Sequence, residues 1–182
     1  MKSTLKGLFL SFSLILSLGL LTACDQNAPD EAKSEYRIKN EEYVENISKD
    51  TAYKSLAFEL SPFSIYYKVI EGPADGTEAQ RPLQNSQVEY KYTLKLISGE
   101  VLETDEIVKS RIFLQDGNKR PESMIRGMQL ALQHMSVGET WEVVIPYQLG
   151  YGQYGVGGST SSSIPAYSTL IFEVTLLSIP TL

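Results

Sequence analysis

Cysteine and histidine are almost missing from this chain: 182 residues contain one of each, Cys24 and His134. A single cysteine excludes an intrachain disulfide and any cysteine-based metal site, and a single histidine closes most of the remaining metal and Ser/His options. His134 falls near the end of a helical stretch, where a polar or positive ring suits the C-terminal dipole. Positive charge is also scarce. The chain has 16 Lys and Arg against 22 Asp and Glu, a formal net charge of -6, and the basic residues are scattered. Such a surface does not track phosphates, so no nucleic-acid partner is expected. Gly150, Gly152 and the stretch from Gly155 to Gly158 do not make a phosphate-binding loop, because no Lys-Ser/Thr and helix follow them. The acidic group Glu100, Glu103, Asp105 and Glu106 lacks the alternating ligands and central glycine of an EF-hand and reads as a solvated edge. No cofactor and no metal are expected.

What is present begins with a processing signal. Lys2 and Lys6 precede an unbroken run of apolar and small residues from Gly7 to Leu21, the order of a secretory signal, and the run is short for a membrane span. Leu21-Thr22-Ala23-Cys24 resembles the bacterial lipobox, in which the cysteine is acylated and the chain is cut before it. Residues 1–23 therefore read as a lipoprotein signal peptide and Cys24 as a lipidated N-terminus. A retained anchor and a cleaved soluble export signal are the alternatives. More than one acyl chain would hold the protein to a bilayer, at about 0.8 kcal/mol per buried methylene. The resulting expectation is a lipid-anchored protein of the bacterial cell envelope, on its periplasmic or surface face.

Residues 24–34 are polar and read as a flexible tether. Over residues 35–60, Tyr43, Val44, Ile47 and Thr51 recur at helical spacing among charges, which predicts an amphipathic helix from Glu35 to about Leu56. Such a helix serves either as a packing helix or spacer outside the main domain, or as an arm for homodimerisation or partner docking. From residue 61 to 182 the pattern changes. Phe63 to Ile70 and Gln87 to Ile97 read as strands, the second with Val88, Tyr90, Tyr92, Leu94 and Leu96 alternating and Ser98-Gly99 as its turn. Between Ser123 and Met135 the period becomes helical: Ile125, Met128, Leu132 and Met135 share a stripe, Ser123 can cap the start, and Gly138 follows the end. Thr140 to Ile145, with Trp141 buried, and Thr169 to Leu177 return to period two. The fold class is α+β, an antiparallel sheet wrapped around one short helix and preceded by an N-terminal amphipathic helix.

The order of motifs in this second region resembles the FKBP family of peptidyl-prolyl cis/trans isomerases. The resemblance rests on Ile65-Tyr66-Tyr67-Lys68-Val69-Ile70-Glu71-Gly72, Val88-Glu89-Tyr90-Lys91-Tyr92-Thr93, Ser98-Gly99-Glu100-Val101-Leu102-Glu103-Thr104, Met124-Ile125-Arg126-Gly127-Met128, Met135-Ser136-Val137-Gly138-Glu139, Leu149-Gly150-Tyr151-Gly152, Ile164-Pro165 and Thr169-Leu170-Ile171-Phe172-Glu173-Val174. It implies an enzyme acting on proline-containing segments of exported proteins, with the same fold kept as a weakly catalytic chaperone or binding module as the alternative. Carried over residue by residue, the pocket walls are Tyr92, Leu102, Met124, Ile125, Met128, Ile164 and Phe172. Tyr151 and the Ile125 amide are donors, and Glu103 stands where the family has an aspartate. An aromatic ahead of the helix falls near Ile112 and Phe113, with Phe113 chosen.

Three positions depart from the family pattern. Met128 replaces the tryptophan floor, Leu102 replaces a phenylalanine wall, and the loop from Gly155 to Ser163 is long and Ser/Gly-rich. A thioether floor is apolar but less preorganised than an indole, which implies reduced activity and poor binding of macrolide inhibitors that stack on the tryptophan.

Overall fold

The computed structural model describes residues 28–58, 61–73, 80–112, 124–157 and 163–180. Cys24, residues 1–23 before it, Phe113 and Ser123 lie outside these residues.

Helix α1 runs Ala28–Lys49. It starts inside the segment read as a tether and stops short of Leu56, so both expected boundaries are corrected. Pro29 stands in the first turn, where its missing N–H breaks no helical hydrogen bond. Three i,i+4 ion pairs support the exposed side: Glu35–Lys39 at 2.7 Å, Arg37–Glu41 at 2.8 Å and Glu45–Lys49 at 2.6 Å. Each exposed pair contributes only about 0.3–0.5 kcal/mol. The helix stops because the Asp50 carboxylate accepts the Ala52 N–H at 2.9 Å, a side-chain turn that competes with helix continuation. Strand β1, Lys54–Ala57, follows directly.

The sheet continues with β2 (Ser64–Glu71), β3 (Gln87–Leu96), β4 (Val101–Arg111), β5 (Thr140–Ile145) and β6 (Leu170–Ser178), and helix α2 (Arg126–His134) lies between β4 and β5 in sequence. The six strands lie in the order β1-β2-β5-β6-β3-β4, and every pairing is antiparallel. Gly99, at φ 86°, supplies the left-handed turn that folds β4 back on β3. Strand β4 escaped the sequence reading because its charged residues mask the alternation. As an edge strand it exposes one side to water, and charge there also discourages edge-to-edge pairing.

The inner face of the sheet wraps α2. Six consecutive helical residues, Gly127 to Leu132, are buried, so this short helix is enclosed on nearly all sides. Gly127 permits its close approach to β5: a Cβ at that position would lie 2.3 Å from a methyl carbon of Ile145. Helix α2 begins at Arg126 with Ile125 as N-cap, and no side chain caps it. Trp141 is buried, stacked on Tyr67 with ring centroids 4.0 Å apart, and its indole N–H donates to Glu139 at 3.1 Å.

Helix α1 lies on the opposite face. Val144 is fully buried yet lies outside the core cluster around α2, as the alternation of β5 requires of a residue facing the other way. On this face the Lys68 ammonium sits 2.7 Å from Glu142, and the Tyr53 hydroxyl also donates to Glu142. Burial pushes the Glu142 carboxyl up, but the hydrogen bonds from Lys68 and Tyr53 and the lysine charge outweigh it and hold the group below the ordinary value of 4.5. A carboxyl whose folded pKa is depressed contributes stability that is complete above its unfolded pKa and lost as pH falls through the folded one. Glu142→Gln is therefore expected to destabilise the protein at neutral pH, with the difference from wild type shrinking below about pH 4. Urea midpoints of both proteins at neutral and acid pH check this; a difference that persists undiminished in acid would contradict it.

Candidate active site

Four elements and one loop converge on a cavity of about 190 Å³ at the N-terminal end of α2. Strand β3 supplies Tyr90 and Tyr92, and β4 supplies Val108, Lys109 and Ser110. Phe172 comes from β6, Met124, Ile125 and Met128 come from the start of α2, and Tyr151 comes from the loop after β5.

The aromatic walls follow from strand register. Leu94 of β3 pairs with Phe172 and Tyr92 with Val174, which puts Tyr92 and Phe172 diagonally adjacent on one face. Their ring centroids are 5.5 Å apart at 58°, and Tyr90 packs 6.0 Å from Tyr92. On the other side of β3, Tyr90 pairs with Val108 but Tyr92 pairs with Asp105, so β4 carries one extra residue between these pairs. A bulge of this kind turns a strand locally and re-aims its side chains. Met128 is 3% exposed and closes the bottom as an apolar, adaptable thioether.

Two donors border the apolar space. Among the described residues the Ile125 amide has no hydrogen-bond acceptor, while its carbonyl accepts from the Met128 and Gln129 amides that open α2. Tyr151 is half-buried; burial, and then the negative charge of Glu103, push its hydroxyl above the ordinary phenol value of 10.0. The hydroxyl is therefore protonated and able to donate at neutral pH.

Six of the ten site residues expected from sequence line this cavity: Tyr92, Met124, Ile125, Met128, Tyr151 and Phe172. Three do not. Leu102 is partly buried against the core, Glu103 is exposed and acts on Tyr151 only through its charge, and Ile164 is a core residue of the loop after β5. Phe113, the tenth, lies outside the described residues, and its neighbour Ile112 is 1% exposed in the core. Tyr90, Val108, Lys109 and Ser110 were missed. For Tyr90 a signal existed, since it lies two residues before Tyr92 on the same strand face. The other three depend on the bulge in β4, which no spacing in the sequence shows. Among the described residues, no three His, Cys, Asp or Glu side chains come together as a metal-holding group.

Known proteins are similar to this chain in sequence and in fold. The family model for FKBP-type peptidyl-prolyl cis-trans isomerase matches residues 78–177. The macrophage infectivity potentiator of Trypanosoma cruzi is 31% identical over 170 residues, covering 91% of this chain and 79% of that protein. The outer membrane protein MIP of Legionella longbeachae is 32% identical over 145 residues, covering 77% of this chain but only 57% of the relative. Among solved structures, FkpA from Escherichia coli aligns with a TM-score of 0.63 at 27% identity, covering 82% of this chain and 62% of that one. The wrapped helix, the aromatic cavity at its N-terminus and a family match across more than half the chain agree, and the chain belongs to the FKBP-type peptidyl-prolyl cis-trans isomerase family.

Proposed function

We propose that the cavity at the start of α2 isomerises X-Pro bonds in exported polypeptides, and that a lipid on Cys24 holds the enzyme at the bacterial envelope. The observation that carries this reading is the pairing of an aromatic and thioether cavity with two donors that have no partner among the described residues, the Ile125 amide and the Tyr151 hydroxyl.

The chemistry needs neither nucleophile nor metal. Rotation about an amide is opposed by about 18–20 kcal/mol because the planar form is resonance-stabilised. In the twisted transition state the carbonyl loses its resonance partner, and the amide is less polar than in the planar form. A water-poor pocket favours that state over the planar one. Tyr92, Phe172 and Met128 supply the apolar surface for a proline ring, while the two donors hold carbonyls of the flanking chain and so fix one part of the substrate as the bond turns. Lys109 and Ser110 add a polar rim on the β4 side.

Isomerisation of short proline peptides, using protein lacking residues 1–24, tests this. Tyr151→Phe removes one neutral hydrogen bond and is expected to lower catalytic efficiency roughly 3- to 10-fold. No acceleration by the wild-type protein for any residue before proline would leave the alternative, a binding module of the same fold, which the Met128 floor favours.

The envelope assignment draws on the signal segment, on Leu21-Thr22-Ala23-Cys24, and on the Legionella relative's name as an outer membrane protein. Among the described residues no helix is long and apolar enough to cross a membrane. Incorporation of labelled palmitate that vanishes in Cys24→Ala supports the anchor; equal labelling of both proteins removes it. A homodimer through α1 would have to use the helix face carrying Ile38, 48% exposed, because Tyr36, Asn40, Tyr43 and Val44 turn toward the chain's own sheet domain. A monomeric mass in solution excludes it.

A further inference from the structure

We propose that α1 is a brace for the catalytic loop, and that Asn40 is a positioning residue acting through Thr169 and Tyr167 on Tyr151. The proposal rests on the isomerase reading given above.

The loop from β5 to β6 carries Tyr151, and its two feet are the turn Tyr147–Leu149 and the segment Tyr167–Thr169. Helix α1 holds both. Asn40 is fully buried, which is unusual for an amide on a charged helix. Its side-chain oxygen accepts the Thr169 N–H at 2.7 Å, its side-chain NH₂ donates to Tyr36 O at 2.9 Å, and its backbone carbonyl accepts the Thr169 hydroxyl at 3.2 Å. One turn earlier, the Tyr36 hydroxyl bonds Ser168 at 2.9 Å, and Ser168 in turn donates to the Pro165 carbonyl at 2.7 Å. The Arg37 guanidinium lies 4.9 Å from the Tyr167 ring centroid, and Glu41 accepts the Tyr147 hydroxyl at 3.1 Å. Elsewhere the attachment is thin: a cavity of about 240 Å³ opens between Val44, Phe63 and Tyr66. The polar bonds of Tyr36 and Asn40 therefore carry much of the contact.

Inside the loop the two feet meet at the catalytic tyrosine. The Gly152 amide donates to Tyr147 O at 2.8 Å, and the Tyr167 amide donates to Gly152 O at 3.0 Å, which pins the residue next to Tyr151 from both sides. Tyr167 adopts φ 62°, the only non-glycine residue at positive φ among those described. A bulky residue holds that conformation only where its surroundings over-determine it. The neighbours that do so are Arg37 of α1, the edge of Tyr147 at 5.1 Å, and Ser168 and Thr169 held by Tyr36 and Asn40. Without the brace, Tyr167 relaxes to negative φ, its bond to Gly152 is lost, and the Tyr151 hydroxyl leaves its place at the cavity.

The test is a double-mutant cycle in the full chain, with hydrogen exchange as an independent readout. Asn40→Ala is expected to lower catalytic efficiency about 3- to 10-fold when Tyr151 is present and by less than about 2-fold in a Tyr151→Phe background. Exchange at the Gly152 and Tyr167 amides should accelerate at least 10-fold while β3 amides keep their protection. Tyr36→Phe, which removes one hydroxyl, should show the same pattern more weakly and serves if Asn40→Ala does not fold. Equal losses in both backgrounds, or unchanged exchange at Gly152 and Tyr167, would overturn the proposal. Absent isomerisation in wild type, alongside accelerated exchange in the variants, would overturn the catalytic link and the isomerase reading while leaving the mechanical brace.

Discussion

Phe172→Ala is expected to lower the free energy of unfolding by about 3–5 kcal/mol and to remove most isomerase activity. Phe172 is 5% exposed on β6, paired with Leu94 of β3 and Val143 of β5, and its ring forms a wall of the candidate active site against Tyr92. Truncation removes buried apolar surface and leaves a void next to an existing cavity of about 190 Å³, with two flanking strands that cannot collapse into it without breaking their ladders. The proline site then loses its shape as well as one face. Phe172→Leu keeps much of the volume and should cost under about 1.5 kcal/mol, so it separates loss of packing from loss of the aromatic ring. Urea unfolding at neutral pH, read beside peptide isomerisation rates, measures both effects. An alanine variant within 1 kcal/mol of wild type would mean that this ring is not part of the cooperative core.

Gly155→Ala should act the other way, damaging activity far more than stability. Gly155 has φ 65°, and a Cβ there would lie 2.1 Å from the Ile164 carbonyl oxygen and 2.8 Å from the Ala166 nitrogen. These are backbone atoms, so no side-chain rotation relieves the overlap. The Val156–Ile164 bridge, with N–H to O distances of 2.9 and 2.8 Å, has to open, and the loop that presents Tyr151 moves with it. A displacement of about 1 Å at a positioning loop costs roughly 10²-fold in rate. The sheet and α2 do not depend on this bridge, so the loss of stability is expected to be modest, about 1 kcal/mol from a Cβ held at positive φ and a small shift of the core residue Ile164. A variant with unchanged isomerase activity would detach the Gly155 to Ile164 segment from catalysis.

Several elements are legible in the sequence itself. Strands β3, β5 and β6 announced themselves because apolar residues return at every second position, from Val88 to Leu96, from Trp141 to Ile145 and from Leu170 to Leu176. Helix α2 showed itself because Met128, Leu132 and Met135 return on one stripe. The six residues that line the cavity were reachable only through family resemblance, since Tyr92, Tyr151 and Phe172 look like ordinary strand and core residues by periodicity alone. Other features were hidden for identifiable reasons. The bounds of α1 depended on a side-chain turn at Asp50 and on ion pairs that offset its low apolar content. Strand β4 was obscured by charges on an edge that water tolerates.

By itself, then, the sequence determined where apolar faces lie, where the backbone must turn at Gly99 and Gly138, and which small set of motifs follows in order. It determined these because hydrophobic periodicity and glycine's access to positive φ are local properties. The tertiary structure alone decided which faces meet. It buried Asn40, which reads as one more polar position on a charged helix, by placing it over Thr169, 129 residues away along the chain. It also turned Val108, Lys109 and Ser110 into the site through a bulge, while Leu102, Glu103 and Ile164 stayed outside the cavity. Contacts of this kind depend on strand register and on the approach of one element to another, and these are set by the packing of the whole core.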